Sequence, residues 1–79
     1  MTRDYYGEAN ALAADLWEVG YKQWADKIDA VIKSGSTATE ILMGIRWTLT
    51  QLLMSEPNVP AELVKRSTDL RREIEAALS

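Results

Sequence analysis

The sequence predicts an all-α fold: four helices in one compact domain, arranged up and down with antiparallel neighbours. Three observations carry that expectation. Apolar residues recur at about 100° per residue in four separate segments. Glycine, proline or a capping residue stands at each break between them. No segment alternates apolar and polar residues for long enough to make a strand. A chain of 79 residues is one domain, and short breaks favour antiparallel packing of consecutive helices.

The first segment runs from about Arg3 to Val19, with Tyr5, Ala9, Leu12, Leu16 and Val19 in one narrow arc. Gly20 follows it, because glycine takes the left-handed conformation that stops a helix. The second segment runs from about Tyr21 to Lys33. Tyr21, Trp24, Ala25, Ile28, Val31 and Ile32 form its apolar face, Lys22 and Asp26 are spaced to pair, and Gly35 marks its end.

The third segment runs from about Ala38 to Met54. Thr37 with Glu40 reads as a capping box, hydroxyl to the third amide and carboxylate back to the cap amide. Glu56-Pro57 closes it, since the residue before proline resists the helical region. The fourth runs from about Pro60 to Leu78, with Pro60 at the first helical position. Leu63, Ser67, Leu70, Ile74, Ala77 and Leu78 share a face, and Glu62/Arg66 and Arg71/Glu75 are spaced as ion pairs.

Bulk composition excludes several functions. The chain is 47% hydrophobic and 27% charged, which is the balance of a folded globule. Residues 1–40 carry seven Asp/Glu against four Lys/Arg, so the net charge of −3 arises there and no basic face for nucleic acid stands out. No apolar run approaches the ~20 residues of a membrane span, and the first seven residues lack the apolar core of a signal peptide. A cytoplasmic protein is expected. The chain has no cysteine and no histidine, which removes disulfides, thiolate metal sites and the commonest general base. No cofactor, metal or enzymatic activity is expected.

The third helix carries the main functional signal. Ile41, Leu42, Ile45, Leu49, Leu52 and Leu53 span an arc of about 120°, an ordinary core face. Met43, Trp47 and Met54 lie opposite, with Thr50 near them. A Met/aromatic stripe at helical spacing is more often core than not, so burial by the other three helices is one expectation. The other is an interface for a partner protein or for a second copy of the chain. Arg46 sits between the two faces, either as an anchor for an acidic partner or in a salt bridge to Asp15, Glu18 or Asp26. Trp17, on the flank of the first helix, is a further candidate anchor. Asp4, Glu8, Asp15 and Glu18 form an acidic stripe that would steer a basic partner or serve as a solvated face near Lys65, Arg66 or Arg72.

Gly35-Ser36-Thr37-Ala38-Thr39-Glu40-Ile41, continuing to Arg46-Trp47, resembles a pattern in small bacterial helical proteins, as do Trp24, Ala25 and Ile28 before it. The resemblance extends over residues 9–54 and implies a helical fold with no activity to carry over. In size, acidity and helicity the chain is also similar to bacterial immunity proteins, antitoxins and phage-encoded inhibitors, an analogy that implies binding. The leading expectation is a protein–protein interaction module. The alternatives are a homodimer through the second face of the third helix, and a small-molecule-binding domain with a pocket lined by Trp17, Trp24 and Trp47.

Overall fold

The computed structural model describes residues 3–79. Four helices are present: α1 (Tyr5–Glu18), α2 (Lys22–Ser34), α3 (Ala38–Ser55) and α4 (Ala61–Leu78). Each expected segment is found, and the bounds differ by at most two residues. Consecutive helices pack on one another and α4 closes the ring against α1. Long-range pairs fix the directions. Arg3 at the start of α1 meets Glu73 late in α4, while Asp15 late in α1 pairs with Arg66 early in α4. Likewise Trp24 early in α2 bonds Glu56 at the end of α3. These pairs run antiparallel, as short connections require.

The core lies on the axis of the ring. Leu12 and Leu16 of α1, Ile28 of α2, Ile45, Leu49 and Leu52 of α3 and Ile74 of α4 are each no more than 1% exposed. Val59 from the α3–α4 connection closes one side. Val19 departs from the expected core arc and is 47% exposed. It lies beyond the last helical residue, at the C-cap, where the helical register no longer aims it inward.

Helix ends follow local chemistry. Gly20 has φ 97°. The Tyr21 amide donates to the Leu16 carbonyl at 2.8 Å and the Gly20 amide to that of Trp17 at 3.2 Å. That pair of bonds is a Schellman motif, and it satisfies carbonyls the helix leaves free. Thr37 caps α3 by accepting from the Glu40 amide at 3.2 Å. Glu40 reaches back to the Ser36 amide, one residue before the expected cap amide.

Three local expectations are corrected. Pro60 is the N-cap of α4 and not its first helical residue: its ψ of 140° is extended, and its carbonyl accepts from Val64 at 3.0 Å. Arg66 pairs with Asp15 on α1 in place of Glu62, and among the described residues Arg71 and Glu75 form no ion pair. A neighbouring helix offers Arg66 a carboxylate across a half-buried seam, where a contact outcompetes one between two solvated side chains.

Gly44 sets the distance between α2 and α3. A Cβ built there would stand 2.4 Å from Cγ1 of Val31, which no real carbon pair tolerates. The small residue lets the two helices approach closely at that level.

Candidate partner interface on α3

The outer face of α3 is uncovered. Met43 is 47% exposed, Trp47 61% and Met54 77%. Burial by the other helices, the first of the two expectations, is therefore overturned. The reason is geometric: in a four-membered ring each helix has only two neighbours, so one side of α3 remains free. Ile45, Leu49 and Leu52 occupy the inward side. At about 100° per residue, Met43, Trp47 and Met54 stand roughly 160–200° round from Ile45.

Met43, Trp47, Thr50 and Met54 follow one another at steps of four, three and four residues. That is the spacing of a coiled-coil seam, and it extends about 16 Å along the helix. The Thr50 hydroxyl donates to the Arg46 carbonyl at 2.9 Å. Its hydrogen bond is thus spent on the helix backbone, and Thr50 adds no unmet polar demand to the seam.

Arg46 flanks the seam on the side facing α4. It is half-buried and lines a cleft of about 360 Å³ with Glu75, Ala76, Leu78 and Ser79. The expected bridge to Asp15, Glu18 or Asp26 does not form. Asp15 is taken by Arg66 and Asp26 by Lys22, while Arg46 lines a cleft with residues of α4. Among the described residues, Arg46 has no ion-pair partner.

Trp17 stands apart from this seam. It is 52% exposed and lines a shallow groove between α1 and α2 with Ala14, Ala25 and Asp29. Trp24 is 6% exposed in the core, its indole donating to Glu56 and its ring covered by the Lys27 ammonium at 4.3 Å. The three tryptophans therefore share no pocket, and the ligand pocket expected from them is not formed. An apolar cleft of about 400 Å³ instead lies between Tyr5, Tyr6, Ala38 and Leu42, beside Arg3 and Asp4.

The acidic stripe is mostly engaged within the chain. Asp4 caps α1 by accepting from the Gly7 amide at 2.9 Å. Glu8 takes both Nε and Nη2 of Arg3, at 2.6 and 2.8 Å, and its carboxylate raises the Arg3 pKa. Asp15 holds Arg66. Glu18 alone of the four has no partner among the described residues.

Sequence reasoning missed Glu56 as a structural partner. It read that residue only as the stop before Pro57, and its contact with Trp24 spans 32 positions. Among the described residues no helix is long and apolar enough to cross a membrane. Comparison with protein-family models, curated proteins and solved structures finds no match to this chain.

Proposed function

We propose that this chain is a non-enzymatic protein–protein interaction module that binds through the outer face of α3. One observation carries the reading: Met43, Trp47 and Met54 are exposed together on a single seam. Single exposed apolar residues are ordinary, whereas an aligned set of a tryptophan and two methionines is the composition of a binding surface. Methionine adapts its shape to a partner, and tryptophan is the side chain most often found at the energetic centre of an interface. The acidic stripe has no role in this reading, because three of its four carboxylates already serve the fold.

The test is affinity capture from the native host with the wild-type chain, Trp47→Ala and Trp17→Ala, each first checked for helicity. The expected result is a protein held by the wild type and by Trp17→Ala and lost with Trp47→Ala, whose helix content is unchanged. Capture that ignores Trp47, or unfolding of Trp47→Ala, overturns the proposal.

A further inference from the structure

We infer that the occupant of the α3 face is an amphipathic helix with carboxylates beside its apolar stripe; this rests on the reading that the face binds a partner. Two independent features lead there. The steps of four, three and four residues between Met43, Trp47, Thr50 and Met54 match the holes that another helix presents at about 3.5 residues per turn. The second feature is charge. Arg46 is the only ionic side chain on α3 between Glu40 and Glu56, it borders the seam, and no carboxylate of the described chain forms an ion pair with it. Glu75 of α4 lines the same cleft as Arg46 and forms no ion pair with it. Arg46 therefore brings an unpaired guanidinium to this edge of the seam. The net charge of −3 arises on residues 1–40, whose one carboxylate on α3 is Glu40, in the first turn and accepting from the Ser36 amide.

A second copy of the chain fits less well. Antiparallel pairing about the centre of the seam sets Met43 against Met54 and Trp47 against Thr50. It then places Arg46 opposite Gln51, and the carboxylates of Glu40 and Glu56 at the far ends of the contact. Self-association would thus bring Arg46 no carboxylate from the second copy. A foreign helix with Glu or Asp flanking its apolar stripe satisfies both the seam and the guanidinium, whose planar fork takes a carboxylate in two hydrogen bonds.

The experiment is selection from a displayed library of helical peptides. Leucine is fixed at the seam positions, and the flanking positions are randomised among Glu, Gln and Lys. The target is the full chain, with Trp47→Ala and Arg46→Gln as folded controls verified by circular dichroism. The expected result is enrichment of Glu at the flanks. A synthetic peptide from that pool should lose binding to Trp47→Ala and bind Arg46→Gln roughly tenfold more weakly. Trp47-dependent peptides with Gln or Lys flanks would overturn the acidic occupant and leave the α3 surface standing. A pool that ignores Trp47 overturns both. A dimer in light scattering of the free chain that disappears with Trp47→Ala overturns the foreign helix in favour of a second copy.

Discussion

The indole N–H of Trp24 donates to Oε2 of Glu56 at 2.9 Å, joining the first turn of α2 to the C-cap of α3. Trp24 is 6% exposed, so this donor has little access to water if its acceptor is removed. Glu56→Ala is expected to cost about 1–2 kcal/mol in urea denaturation, the penalty of a buried unpaired donor. Glu56→Gln retains an acceptor and should recover most of that loss. Equal stability of the wild type and Glu56→Ala would show that the bond contributes nothing.

Gly44 and Val31 make a second pair whose cost can be separated. Alanine favours a helix over glycine by about 1 kcal/mol, yet its Cβ would collide with Val31 Cγ1. Valine is stiff at χ1 and cannot turn the methyl aside. Gly44→Ala should therefore destabilise the fold by about 1–3 kcal/mol. Adding Val31→Ala makes room for the new methyl and should restore part of that stability. A stabilised single variant would show that α2 and α3 slide apart freely.

Ser67 is 0% exposed on the core face of α4, and its hydroxyl has no hydrogen-bond partner. Removing an unpaired buried oxygen relieves a desolvation cost and leaves a space smaller than a methyl group. Ser67→Ala should raise stability by about 1 kcal/mol, read as a higher denaturation midpoint at constant slope. A loss of stability would mean that the hydroxyl is bonded in solution.

Trp47 and Leu49, two positions apart on α3, should respond in opposite ways. Leu49 is fully buried while Trp47 is 61% exposed. Leu49→Ala is expected to cost about 2–5 kcal/mol. Trp47→Ala should stay within about 0.5 kcal/mol of the wild type although it removes the larger side chain. A large loss in the tryptophan variant would place Trp47 in the core in solution.

What the sequence disclosed depended on how far apart the cooperating residues lie. Gly20 and Thr37 act on neighbours within a turn or so, and both were readable from spacing. The inward face of α3 was readable for the same reason, since period alone identifies it. Period could not say whether the opposite face is covered, because that depends on how many helices surround α3. The partner of Arg66 escaped for a related reason: Glu62 is near in sequence, but Asp15 is near in space. Glu56 and Trp24 carry no mutual signal in a single sequence. Pro60 was misplaced by one residue because proline suits both the cap and the first turn.

The two exposed methionines have a chemical consequence beyond recognition. Among the described residues both thioethers, those of Met43 and Met54, stand in solvent, and the buried core contains none. Peroxide would convert them to sulfoxides, turning an apolar stripe polar at both ends while the packed interior is left intact. A sample aged in air would therefore hold its helicity and melting behaviour and still have lost the apolar stripe on α3, so the redox history of a preparation is part of its identity.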